Sequence, residues 1–165
     1  MKEKINRYLR KFGAEIHGIG YIQKLKNSDS KKNEWVKQQG LLNNKANIIF
    51  DVGANRGDTA SKYLNIFPDC SIHSFEPFPQ ACEIFLKKHK QNNNVRLNKY
   101  ALANIIGKSI LNINKSADTN SLLNSKKIGA NSDKSCFTIG QMEIETNTID
   151  NYCLENNIDL IDILK

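Results

Sequence analysis

The chain has 165 residues, 24 Lys+Arg against 17 Asp+Glu, a formal charge of +7 and 39% hydrophobic residues. This is one domain's length, able to bury roughly 70% of the surface it exposes when unfolded, so a core can form without disulfides or metal, and intrinsic disorder is excluded. A mean hydropathy of -0.52 and the lack of an apolar run of about 18 residues exclude a membrane span.

The charge is unevenly placed. Residues 1–47 carry 11 Lys+Arg and 4 Asp+Glu, whereas 48–165 carry 13 of each. The chain therefore divides into a basic helical N-terminal segment, 1–47, and a neutral domain, 48–165. A neutral core without an RNP-like or helix-turn-helix signature argues against a nucleic-acid partner. MKEKINRYLRKF has charges throughout and no apolar centre, so it is not expected to be a secretory signal. Cys70, Cys82, Cys136 and Cys153 form no CxxC pair and no zinc-type spacing, which predicts ordinary thiols, no metal and a cytoplasmic protein.

In chain order, Ile5, Leu9, Phe12 and Ile16 recur at helical spacing and predict an amphipathic helix over about 3–16. KNSDSKKN at 26–33 reads as a loop, and Glu34 to Gln39 as a short helix burying Trp35. At 48–52 the period changes: IIFDV is an apolar run broken by one acid, as expected of a central parallel strand. GANRG follows as a turn, then a helix with Ala60, Tyr63, Leu64 and Phe67 on one face, ending before Pro68. SIHSF at 71–75 predicts a second strand. Pro79 opens a helix with Cys82, Phe85, Leu86 and His89 inward, and a third strand is expected near 95–100. SILNIN at 109–114 and QMEIET at 141–146 alternate as an antiparallel pair flanking a polar loop. A short helix from Thr148 to about Asn156 leads to a last strand-like run, IDLIDIL, at 158–164. Alternating strands and helices predict an α/β fold, a parallel sheet with flanking helices.

The chemistry resides in DVGANRGD followed by FEP. In an open α/β sheet, ligands sit beyond the carboxyl ends of the strands, where residues 51–58 fall. Gly53 and Gly57 admit backbone angles closed to other residues, and Asn55 is among the few other types that tolerate a left-handed conformation. Glu76, 25 positions after Asp51, ends the second strand, where a carboxylate can accept hydrogen bonds from two ribose hydroxyls; the ligand expected is a nucleoside. A dinucleotide fingerprint begun at Gly53 needs glycines at 55 and 58, where the chain has Asn55 and Asp58. Asp58 would also meet a pyrophosphate at the helix start with like charge. S-adenosyl-L-methionine (SAM), with no phosphate and a positive sulfur, suits a turn carrying acids. Asp51 either anchors the turn or receives the ammonium.

IIFDVGANRGDTA, IHSFEPFPQA, NKYALANIIGKSILNI, the Ser121–Leu122 pair and TIDNYCLENNIDLIDILK together resemble the FkbM family of SAM-dependent methyltransferases, from about Ile48 to Lys165. The resemblance implies a Rossmann-like class I methyltransferase fold, SAM as cofactor, and methyl transfer to a hydroxyl of a sugar or natural product, so that the partner is a small-molecule or glycan acceptor. By matching position it implies that Asp51, Gly53, Asn55 and Gly57 form the SAM turn, that Glu76 holds the ribose, and that the segment from Asn98 to Ala101 borders the adenine. Thr148 and Asp150 match a Thr-Leu-Asp segment, with Ile149 in place of Leu. The family continues past LIDILK into an Ile-Asp-x-Glu-Gly segment, so the sheet is expected to be incomplete at its C-terminal end, with an apolar edge that invites self-association. No catalytic base is assigned among His17, His73 and His89.

Overall fold

The computed structural model describes residues 30–123 and 137–165. The predicted helix at 3–16, His17 and Cys136 lie outside the described residues. In chain order the elements are α1 (Ser30–Leu41), β1 (Ile48–Val52), α2 (Asp58–Ile66), β2 (Ser71–Phe75), α3 (Pro79–Lys88), β3 (Val95–Asn98), β4 (Ala101–Leu102), β5 (Gly107–Asn114), a 3-10 turn (Ala117–Thr119), β6 (Thr138–Asn147), α4 (Ile149–Asn156) and β7 (Ile163–Leu164). The fold is Rossmann-like α/β. A parallel sheet in the order β3-β2-β1-β7 stands beside a smaller sheet in the order β4-β6-β5.

β1 is central because its side chains are apolar on both faces. Ile49 packs with Ile72, Tyr63, Phe67 and Phe85 on one side of the sheet, where α2 and α3 lie. Phe50 and Phe75 pack with Tyr152 of α4 on the other. This is the period-2 alternation of a strand buried on both faces. β1 and β2 run in register from Ile48↔Ser71 to Val52↔Phe75, which brings both carboxyl ends to one level.

Local chemistry sets the helix limits. α2 ends at Phe67, before Pro68, which cannot continue it. α3 begins with Pro79 in its first turn and ends with Lys87 and Lys88, where basic charge suits the helix dipole. Thr148 Oγ1 accepts from the Asn151 N–H at 3.1 Å and caps α4, and Asn157, at φ 51°, ends it.

Several expectations are corrected. Residues 30–33 begin α1 rather than completing a loop; Trp35 of that helix packs edge-on against Tyr63, centroids 4.9 Å apart. Leu86 is 44% exposed, and Ala81 takes the inward place beside Cys82 and Phe85. The third strand stops at Asn98, and the chain steps through Lys99 and Tyr100 into the second sheet. β5 and β6 pair antiparallel as expected, from Gly107↔Thr146 to Asn114↔Thr138, and form a second sheet with β4. Only Ile163 and Leu164 of the 158–164 run are strand. Ile158 and Ile161 instead pack under α4, and the Asp162 carboxylate turns back to accept from Asn47 N and Ile48 N at 2.7 and 2.9 Å.

A buried polar network joins β2, β3 and α4. Asn98 Nδ2 donates to Ser74 O (3.1 Å) and to the Tyr152 hydroxyl (3.2 Å). That hydroxyl lies 2.7 Å from His73 Nδ1, and His73 Nε2 lies 3.2 Å from Ser71 Oγ. With Tyr152 donating to Nδ1 and Nε2–H donating to Ser71, neutral His73 is satisfied at both nitrogens. Burial, with the nearby Arg96 charge, holds the His73 pKa below 6.5. Below that pH the unfolded chain binds a proton that the folded one resists, so stability should fall as pH drops through 6.5 toward the folded value and stay level above. Urea denaturation at about pH 7.5 and 5.5 checks this, and His73→Gln should remove most of the slope.

Candidate functional site

The chain leaves β1 through a turn in which three residues adopt left-handed angles: Gly53 (φ 71°), Asn55 (φ 48°) and Gly57 (φ 80°). The turn hangs on the end of β2. Gly53 N and Ala54 N both donate to Phe75 O, at 2.9 and 3.1 Å, while Ala54 is buried in the core. Asn55 is thereby oriented with its backbone N–H toward Glu76, donating to Oε2 at 2.9 Å. The other carboxylate oxygen, Oε1, accepts from Phe78 N at 2.9 Å. Glu76 is only 8% exposed. Burial raises its pKa, the two backbone N–H groups and Lys165 lower it, and the charge of Asp51 raises it further.

Beside this clamp lies a cleft of about 360 Å³. Val52, Gly53 and Glu76 line one side, Ala101, Leu111 and Leu122 the other. The segment around the 3-10 turn closes one end, where Asp118 Oδ1 accepts from Asn55 Nδ2 at 2.7 Å. A larger, more open groove of about 730 Å³ between α3 and β3 contains none of the predicted site residues.

The predicted residues fall into three groups. Gly53, Asn55, Glu76 and Ala101 line the cleft. Asp51 lies beneath it, fully buried, with Lys165 Nζ 3.0 Å from its Oδ1; burial raises its pKa, and Lys165 and then His89 oppose this. Gly57 and Asn98 face elsewhere. Gly57 packs against α3, where His89 Nε2 lies 2.9 Å from its carbonyl, and the Asn98 amide is spent on the Tyr152 network. Asp58 stands in the first turn of α2, as expected, and pairs with Lys88, which holds its carboxyl below the usual range.

Sequence reasoning did not find Asp118, Asn120 or Lys165. The first two sit in a polar stretch without periodicity, and their only nearby signal was the Ser121–Leu122 pair, both of which line the cleft. No group of three or more His, Cys, Asp or Glu side chains among the described residues is arranged to hold a metal. No helix among them is long and apolar enough to cross a membrane.

The family model for the methyltransferase FkbM domain matches residues 51–165. That is more than half of the chain, and the protein belongs to this family. No curated protein matches the sequence.

The two glycines of the turn should respond differently to alanine. A Cβ on Gly57 would lie 2.6 Å from His89 Nε2 and 2.8 Å from Phe85 Cδ2, whereas one on Gly53 would meet nothing within 4 Å. Gly57→Ala should cost about 2–4 kcal/mol, adding overpacking to left-handed strain, and Gly53→Ala about 1–2 kcal/mol from strain alone. Urea unfolding of the two variants measures the difference; equal losses would show that Gly57 is not a packing constraint.

Proposed function

We propose that the cleft binds S-adenosylmethionine and that the protein transfers its methyl group to a hydroxyl oxygen of a small-molecule or glycan acceptor. The observation that carries this reading is the Glu76 carboxylate. Both its oxygens are fixed by backbone donors at 2.9 Å, yet each retains a lone pair, and the residue lines the cleft. It is thus preorganised to accept hydrogen bonds from two adjacent ribose hydroxyls. The cleft volume lies in the range of pockets for ligands of this size, about 300–1,000 Å³. Apolar Ala101, Leu111 and Leu122 offer a surface for a flat base.

Charge supports a methyl donor over a dinucleotide. Asp51 and Glu76 lie under and beside the turn, Asp118 lines the cleft, and Lys165 is the cation paired with Asp51. An excess of carboxylate suits a cationic ligand and repels a pyrophosphate. Asp58, held ionised by Lys88, adds a negative charge at the helix start where phosphate would dock.

When bound, the cofactor supplies a methyl group already activated on a positive sulfur, so the protein's work is alignment and exclusion of water, for which good orientation contributes about 7–11 kcal/mol. Glu76 fixes the ribose, the turn at Gly53 leaves room where a side chain would intrude, and the leucines of the opposite wall exclude water. His73 is engaged at both ring nitrogens, and His89 packs at Gly57; neither lines the cleft.

Calorimetry with SAM and with NAD tests the reading directly: SAM should bind and NAD should not. Glu76→Ala should weaken SAM at least about tenfold, from the loss of hydrogen bonds to a charged group. An adenosyl ligand lacking both ribose hydroxyls should lose a similar factor on the wild type and little more on the variant. A wild type that ignores SAM would overturn the proposal.

A further inference from the structure

Asp51 is the most enclosed charged group described in the protein. It is 0% exposed, and neither carboxylate oxygen receives a well-formed hydrogen bond among the described residues. A carboxyl group in such a place ordinarily keeps its proton, because desolvation penalises the charge and no donor offsets it. The exception here is Lys165, whose Nζ lies 3.0 Å from Asp51 Oδ1 and 3.4 Å from Gly53 O. The main chain places this ammonium: Lys165 N donates to Phe50 O at 3.0 Å and its carbonyl accepts from Val52 N at 2.9 Å. Lys165 thus extends the pairing of β7 with β1 and is level with the start of the turn.

We infer that Lys165 is a positioning residue of this site, whose ammonium keeps the Asp51 carboxylate ionised and fixed beneath the Gly53 turn at neutral pH, so that a cationic ligand meets an oriented ion pair and the charge of Glu76 rather than a neutral acid. The ligand part of this inference rests on the function proposed above; the charge state of Asp51 does not. Three charged or titratable groups act on Asp51 and its surroundings. Lys165 acts from the end of β7 and His89 from the end of α3, both favouring ionisation. Glu76, at the tip of β2, is coupled to Asp51 by mutual repulsion. Lys165 also favours the charged form of Glu76, so one cation serves both acids. Its second contact, to the Gly53 carbonyl, fixes the peptide whose N–H is held by Phe75 O. A ligand cation near Gly53 meets an orientated carbonyl above an ion pair rather than above a neutral acid.

The test uses Lys165→Met and Lys165→Arg in the full chain. With carboxyl-labelled aspartate, and Asp51→Asn to assign the signal, NMR titration should place the Asp51 midpoint at least about one pH unit higher in Lys165→Met than in the wild type, a tenfold change in proton affinity, and Arg should restore it. SAM calorimetry should show wild-type affinity varying less than about threefold between pH 6 and 8.5. Lys165→Met should bind more weakly than the wild type at pH 6 and recover as the pH rises toward 8.5, because binding releases a proton from Asp51 while that group is still protonated. An unchanged midpoint, or a loss of affinity that does not vary with pH, would overturn the inference. Failure of the wild type to bind SAM at either pH would instead overturn the ligand, and the NMR midpoints would still decide the role of Lys165.

Discussion

The site depends on a buried carboxylate being received by two backbone N–H groups. Glu76 can remain at the end of β2, mostly out of water, only because Asn55 N and Phe78 N each supply a charge-assisted hydrogen bond. The geometry of the first donor is demanding. The Asn55 N–H is turned to β2 after a left-handed Gly53, and the chain then enters α2 through left-handed Asn55 and Gly57, angles that glycine and asparagine permit and most residues resist. Turn, acid and helix start are therefore one unit. Their register is inherited from the parallel pairing of β1 and β2, which ends at Val52↔Phe75.

This arrangement places electrostatic cost where the ligand goes. The chain as a whole is basic, but its exposed lysine pairs, such as Lys88 with Asp58 and Lys108 with Glu143, contribute little to stability. The acids at the cleft differ, since burial raises the pKa of both Asp51 and Glu76. A raised carboxyl pKa means that the folded state holds the proton more tightly, so these groups withdraw stability as pH rises from the unfolded values toward the folded ones. At neutral pH the apolar packing of Ile49, Phe50, Tyr63 and Phe75 offsets that cost. A cationic ligand of the kind proposed would relieve part of this cost on binding.

Much of this was legible in the sequence, and the division is physical. IIFDV, SIHSF and the two alternating runs around 109–114 and 141–146 are periodic patterns, and they became β1, β2, β5 and β6. DVGANRG and Glu76 were legible because conformational freedom and charge at a strand end are local properties. What escaped depends on contacts distant in the chain. Asp118 meets Asn55 across 63 positions, and Lys165 meets Gly53 across 112; no periodicity encodes either. Asn98 illustrates the opposite case, a polar residue near the site whose amide is claimed by Ser74 and Tyr152. Ile158 to Asp162 read as strand because the run is apolar, but Ile158 and Ile161 pack under α4 and Asp162 holds the start of β1, while Leu160 is exposed.

The second sheet supplies the far wall of the cleft through Ala101, Leu102 and Leu111. Asparagines tie a strap, residues 117–122, to this sheet beside a small apolar cluster of Ala101, Leu111 and Ile144, against which Leu122 packs. Asn112 and Ser121 exchange backbone bonds at 2.9 and 3.2 Å, Gln141 Nε2 donates to Asn112 Oδ1 at 2.8 Å, and Asn120 Oδ1 accepts from Asn114 N at 2.9 Å. The strap is consequently fixed to β5 and β6, leaving Leu111 and Leu122 for the cleft wall. Its ties to the parallel sheet are unequal. At one end the chain runs directly from β3 through Lys99 and Tyr100 into β4, with Tyr100 packed against Phe75 at 5.9 Å between centroids. At the other, Asn55 Nδ2 and Asp118 Oδ1 meet in an exposed hydrogen bond, worth about 0.5–1.5 kcal/mol net, or up to about 3 with a charged partner. Between these two ties Phe78 packs its ring against the cluster of Ala101, Leu111 and Ile144 while its N–H donates to Glu76 Oε1, so the residue that holds one oxygen of the clamp also anchors the opposite wall of the cleft by apolar contact.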